Sequence, residues 1–193
     1  AVHSEGDGLS GLVVDRYADL VVVEFFSAGM FRHREWIFDA LREQFPGCRI
    51  HASADEHVQK QESFDFRGSV PAEPAVITEH GVKFRADPAG AHKTGFFADQ
   101  RENREWLSRQ CQDKRMLDLC CNTGGFGIYA AARGAMDVTG VDIDEAVLEI
   151  ARGNARLNDV RVRFVQADIF PWLRDAAARG AAWDVVVLDP AKM

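Results

Sequence analysis

Two regimes of hydrophobic periodicity divide the chain. Residues 12–26 hold two β-branched and aromatic runs around a polar turn, which predicts a hairpin. Between 31 and 45, Trp36, Ile37, Ala40, Leu41 and Phe45 fall at helical spacing, and Pro46-Gly47 ends the run. Residues 49–70 are mixed and read as extended, and a second hairpin is expected over 75–86 with its turn at Glu79-His80-Gly81. This half makes a small α+β module with no motif for chemistry of its own. After Asp87-Pro88 strand and helix alternate strictly. Helices are predicted at 100–111, 126–133, 145–158 and 171–179, and strands at 115–120, 137–141, 161–166 and 183–188. Repeated βα units with short links imply a parallel, doubly wound sheet.

Composition adds boundaries to this picture. With 193 residues, 47% of them hydrophobic, the chain can bury a core, and no apolar run is long enough to span a membrane. Cys48, Cys111, Cys120 and Cys121 lack CxxC spacing, and the histidines are scattered, so neither a disulfide framework nor a metal site is expected. Reduced thiols and the missing leader pattern suggest a cytoplasmic setting. The net charge of −7 hides an asymmetry: residues 1–92 hold 9 Lys and Arg against 15 acids, residues 93–193 hold 14 against 15. Opening on Ala1 and stopping after Asp189-Pro190-Ala191-Lys192-Met193, the sequence reads as cut at both ends.

Four motifs in the second half bear on chemistry. Leu117-Asp118-Leu119-Cys120-Cys121-Asn122-Thr123-Gly124-Gly125-Phe126-Gly127 runs from a strand through a Gly-rich turn into a helix, where a ligand can approach the backbone and meet unpaired N–H groups. It has neither the GxGxxG spacing of dinucleotide sites nor the Gly-Lys-Ser/Thr of a phosphate loop. Asp142 ends the next strand 18 positions after Gly124, in Val141-Asp142-Ile143-Asp144, and its carboxylate can accept from both hydroxyls of a ribose. As a turn acid it would do no more than close the loop, and Asp144 is the better helix cap. Asp168, in Ala167-Asp168-Ile169, and Asp189, in Leu188-Asp189-Pro190, follow the third and fourth strands. All three acids thus fall at carboxyl ends of strands, the edge where open α/β sheets bind ligands.

This order resembles the class I S-adenosylmethionine-dependent methyltransferases. The resemblance implies an α/β, Rossmann-like sheet of which the chain holds only the first half, with a small α+β domain (residues 1–90) ahead of the methyltransferase part (91–193). It places S-adenosyl-L-methionine on the turn of Cys120, Asn122 and Gly124, its ribose on Asp142 with Ile143 beside it, its adenine on Asp168 and Ile169, and Asp189 between cofactor and substrate base. A sharper resemblance lies in Lys93-Thr94-Gly95-Phe96-Phe97-Ala98-Asp99-Gln100-Arg101, which is similar to the signature preceding the sheet in the ribosomal large-subunit methyltransferase I family, whose members methylate carbon 5 of cytosine in ribosomal RNA. That family also writes Cys before Thr-Gly-Gly-Phe. The chain departs from it at Ala191, where a second proline is usual, and at Asn122, where an aromatic often stands.

The family carries an RNA-binding PUA domain ahead of the α+β domain, which would precede Ala1. Physically, the upstream segment suits a cofactor lid: Phe96 and Phe97 offer an apolar face to adenine, and Gln100 and Arg101 would reach the methionine carboxylate. With Asp99 as a helix cap and the two aromatics in the core, the same residues would do no more than build the fold.

Carbon 5 of cytosine is a poor nucleophile, and enzymes that methylate it first add a cysteine thiolate at carbon 6. The resemblance implies that this cysteine lies beyond Met193, since none of the four here matches, and that the chain alone is inactive. Ribosomal RNA is the implied partner, with the target nucleotide flipped out. His92 and Lys93 are candidates for phosphate contact, no membrane is expected, and a homodimer stays open. A methyltransferase for another RNA position or a protein, and a non-catalytic RNA- or cofactor-binding module, are the competing readings.

Overall fold

A computed structural model describes residues 2–67, 73–88 and 96–190. Contacts divide the chain into two units, Ala1–Ile77 with Ala86–Phe96, and Thr78–Arg85 with Phe97–Met193. In the first unit, β1 (Val2–His3), β2 (Leu12–Tyr17), β3 (Leu20–Phe25) and β4 (Arg49–Ser53) form one sheet in that order. The β2–β3 pair is the antiparallel hairpin the apolar runs predicted, and β4 joins β3 in parallel. The crossover between them carries α1 (Ala28–Arg32) and α2 (Arg34–Gln44). Leu12, Val14, Val21, Val23, Phe25, Leu41 and Ala52 close this unit's core.

Two expectations for this half fail. The single helix over 31–45 is two helices, because Ser27 caps an earlier start, its Oγ accepting from the Met30 N–H at 3.3 Å, and the chain leaves helical geometry at His33 (φ −94°, ψ 10°). Residues 49–70 are not simply extended: β4 is followed by α3 (Glu56–Glu62), whose Asp55 cap accepts from the His57 N–H at 2.7 Å. Val58 is the one aliphatic residue of α3, so no periodicity announces it and the cap alone could have. The hairpin of β5 (Ala75–Glu79) and β6 (Val82–Ala86) turns where expected, with both His80 (φ 46°) and Gly81 (φ 87°) left-handed, as a two-residue hairpin turn requires.

The second unit is built on a parallel sheet of β7 (Arg115–Leu119), β8 (Asp137–Asp142), β9 (Arg163–Gln166) and β10 (Val185–Leu188), ordered β10-β7-β8-β9. A 3-10 turn (Ala98–Gln100) leads into α4 (Arg101–Ser108), and α5 (Gly125–Ala132), α6 (Glu145–Leu157) and α7 (Ile169–Ala178) connect the strands. Helix α7 starts earlier than Pro171 because Asp168 caps it, leaving the proline in the first turn, where its missing N–H costs nothing. Apolar clusters pack against the sheet among the described residues. Cys111, Met116, Ala130 and Val138 form one, and Leu117, Leu119 and Val141 another. Leu188 is level with Leu119, Leu119 with Val141, and Asp142 with Gln166, so the loops after all four strands leave the sheet at one edge. Among the described residues no helix is long and apolar enough to cross a membrane.

Candidate functional site

The turn from β7 into α5 is shaped by backbone that few side chains accept. Cys120 (φ 56°), Asn122 (φ 47°) and Gly124 (φ 81°) are all left-handed. Gly124 is the N-cap of α5 and has no side chain to cap with. A Cβ there would lie 2.9 Å from Ile128 Cδ1 and 3.0 Å from Phe164 Cζ. Capping is supplied from the preceding strand: Asp118 Oδ2 accepts from the Gly127 N–H at 2.9 Å. Asp118 is fully buried, and desolvation pushes its carboxyl up to about 7, against the Gly127 N–H, which lowers it; the nearby charges of Asp189 and Asp142 add to the rise. Sequence reasoning missed this role of Asp118, whose signal is a charged residue inside an otherwise apolar strand.

Asp142 binds the turn as well as facing the edge. Its Oδ2 accepts from the Asn122 N–H at 2.8 Å and its Oδ1 from the Asp144 N–H at 3.1 Å. Each carboxylate oxygen keeps a further lone pair for a ligand hydroxyl. Asp144 caps α6, accepting from the Ala146 N–H at 2.8 Å, as the sequence suggested. The Asn122 side chain turns onto the next residue, its Oδ1 accepting from the Thr123 N–H at 2.8 Å. Asp168 Oδ1 accepts from the Phe170 N–H at 2.8 Å, so this acid is a helix cap whose exposed carboxylate borders the same edge. Ile143 is exposed, whereas Ile169 packs against the cluster of Leu117, Leu119 and Val141. Asp189 follows β10 and is exposed.

Cys120 sits within this ring of acids. Burial, then Asp142, Asp118 and Asp189, push its thiol up, and burial does the same to Cys121 and Cys111. None of the three is poised as a thiolate.

The upstream segment is placed in part. Lys93, Thr94, Gly95 and His92 lie outside the described residues, as does Ala191. Gln100 Oε1 accepts from Asn103 Nδ2 at 2.6 Å, and exposed Arg101 pairs with Glu102 at 3.1 Å. Asp99 does not cap α4, which opens from Gln100 without a side-chain cap. Arg104, three residues further on, is buried: it donates from Nη1 to the Phe97 carbonyl at 3.0 Å and from Nη2 to Glu79 at 2.8 Å. The side chain of Arg104 also lies where a Cβ on Gly125 would meet its Cδ at 3.0 Å. One guanidinium thus ties Phe97 to Glu79 while its side chain lies against Gly125 of the turn. A second tie is Asn154 of α6, fully buried, which donates to the Thr123 carbonyl at 3.1 Å and accepts from the Arg85 N–H at 2.8 Å. Neither residue carried a sequence signal, because their roles depend on contacts distant along the chain.

A Gly-rich turn and three strand-end acids on one edge of a parallel sheet define a nucleoside-cofactor α/β domain. The chain belongs to the S-adenosylmethionine-dependent methyltransferase family, whose sequence model matches residues 49–193. It is similar to the ribosomal RNA large subunit methyltransferase I of Aeromonas salmonicida (strain A449), at 44% identity over 98% of this chain and 50% of the relative. The chain therefore spans about half the length of the curated relatives it matches. The fold is shared with SMU.776, crystallised with SAH (24% identity, TM-score 0.83, 98% of this chain and 50% of that one). It is shared too with a SAM-dependent methyltransferase of Agrobacterium tumefaciens (22%, TM-score 0.70, 93% and 57%).

Proposed function

We propose that the protein containing this chain transfers a methyl group from S-adenosylmethionine to large-subunit ribosomal RNA, at carbon 5 of a cytosine. The observation that carries this reading is the joining of Asp142 to the Gly-rich turn through the Asn122 N–H, which sets a ribose acceptor beside the left-handed turn that ends at Gly124. The residues present fit the cofactor. The first-turn N–H groups of Gly125 and Phe126 lack intrahelical partners, that of Gly127 being taken by Asp118, and the carboxylates of Asp142 and Asp189 near Cys120 favour a cation. Bound there, the cofactor supplies an electrophilic methyl on a positively charged sulfur.

The chain's own residues then have distinct tasks. Asp142 orients the ribose, Asp168 and Ile169 border the adenine, and Cys120, Asn122 and Gly124 shape the turn under the methionine part. Phe97, Gln100, Arg101 and Ile143 line the approach, and Arg101 would exchange Glu102 for the cofactor carboxylate. Asp189 receives polar groups of the target base. Attack at carbon 6 needs a thiolate, and the raised thiols of Cys111, Cys120 and Cys121 send the search for it outside these residues.

Two measurements on the full-length protein test this. Calorimetry is expected to show S-adenosylmethionine binding, and nucleoside analysis of undermethylated ribosomal RNA treated with enzyme and cofactor is expected to show 5-methylcytosine. Methyl transfer to another base position would overturn the carbon-5 assignment, and absence of cofactor binding would overturn the methyltransferase reading.

A further inference from the structure

At the opposite edge of the β7–β10 sheet from the candidate site, the start of β8 and β9 and the last turns of α6 line an open cavity of about 530 Å³. Its lining includes Arg152, Arg156, Arg161 and Arg163, against one acid, Asp137. Arg152 is already neutralised, its Nη1 lying 2.7 Å from Glu145 and 2.6 Å from Glu149. Arg156, Arg161 and Arg163 are exposed and form no ion pair or side-chain hydrogen bond among the described residues. A chain with a net charge of −7 thus concentrates three uncompensated guanidinium groups around one concavity.

We propose that this cavity binds successive phosphates of the RNA substrate's backbone. The inference rests on the RNA reading above and adds a second anchoring point to it. Arg161 and Arg163 stand two residues apart where the chain enters β9, and both line the cavity, so they suit neighbouring phosphates of a backbone rather than one ion. Arg156 faces them from α6, and planar guanidinium forks suit phosphate oxygens. Protecting a sheet edge from pairing would account for Arg163 alone, since β9 ends the sheet. It leaves the helix-borne Arg156 and the concavity unexplained. Strand β8, six residues long, separates this cavity from the cofactor edge by about 20 Å. A structured RNA spans that distance while presenting a flipped base to Asp189.

The test uses the full-length protein and its R156Q/R161Q/R163Q variant, binding a large-subunit ribosomal RNA fragment over a series of salt concentrations. Loss of three phosphate contacts is expected to flatten the slope of log affinity against log salt by about 2–3. Cofactor affinity by calorimetry is expected to stay unchanged, which also reports folding; R163Q alone is expected to flatten the slope by about 0.7–0.9. A wild-type protein that binds RNA and a triple variant with the same slope would overturn the cavity assignment while leaving the RNA reading standing. Wild-type protein that binds no RNA overturns both. Inorganic tripolyphosphate is the competing probe. If it binds in an arginine-dependent way while the RNA slope does not change, the cavity serves a free phosphate compound and the proposal fails.

Discussion

Asp118→Asn isolates the cost of burying a carboxyl under the Gly-rich turn. In the folded chain desolvation holds this group at about 7, against an ordinary value of 3.8. A raised acid binds its proton more tightly folded than unfolded, so between those two values stability falls as pH rises. Below about pH 4 both states are protonated, and above about pH 7 both are ionised and the full cost is present. About three pKa units correspond to about 4 kcal/mol, of which about 2.5 kcal/mol accrues between pH 5 and pH 8. Asparagine keeps an oxygen to accept from the Gly127 N–H and removes the charge. The variant is therefore expected to gain stability over the parent by about 2.5 kcal/mol more at pH 8 than at pH 5. Urea unfolding at the two pH values measures the difference, and carbon-13 NMR of the side-chain carboxyls reads the titration directly. A gain that does not change with pH, or an Asp118 titration below pH 5, would refute the reasoning.

Other substitutions separate the parts of the site. Gly124→Ala is expected to cost about 1–2 kcal/mol from its left-handed backbone alone and to weaken cofactor binding, since the new Cβ meets Ile128 and Phe164; calorimetry and thermal unfolding read the two effects. Asp142→Ala is expected to lose about 1–3 kcal/mol of cofactor affinity, and Asp142→Asn less, because asparagine can still accept from the Asn122 N–H while its amide cannot accept from the Asp144 N–H. Affinity unchanged from the parent in Asp142→Ala would remove Asp142 from the ribose role. Arg104→Met leaves Glu79 buried without its partner and is expected to cost about 3–5 kcal/mol in chemical denaturation, with the Arg104→Met/Glu79→Gln double variant costing less than the two singles together.

What could be read from sequence follows the range of the interaction that determines it. The parallel unit was legible because short strands alternate with longer helical runs across short links, and β8, β9 and β10 are each followed by an acid at or near the strand end. Asp144 and Asp168 illustrate this, since each caps the helix that follows it within two residues. The break at His33 and the short helix after Asp55 were not legible, because α1 and α3 are too short to express a 3.6-residue period. At the site, the residues that a nearby motif can suggest were found, and those defined by distant contacts were not. Arg104 reaches 25 positions back to Glu79, and Asn154 reaches 31 back to Thr123 and 69 back to Arg85.

Those missed residues change what the site is. From sequence, the turn and Asp142 read as separate ligand contacts, one for each part of a cofactor. In the structure Asp118 caps α5 from below, Asp142 fastens the turn from the side through Asn122, and Asn154 holds the Thr123 carbonyl from α6. Three left-handed residues within five positions would each cost energy if unsupported, and Cys120 and Asn122 have no glycine's freedom to lower that cost. These side chains over-determine the turn and fix its backbone before any ligand arrives. Asp142 is where the two demands meet: one carboxylate holds the turn through Asn122, reaches Asp144, and still offers lone pairs outward. Preorganisation of this kind lowers the ordering cost of binding.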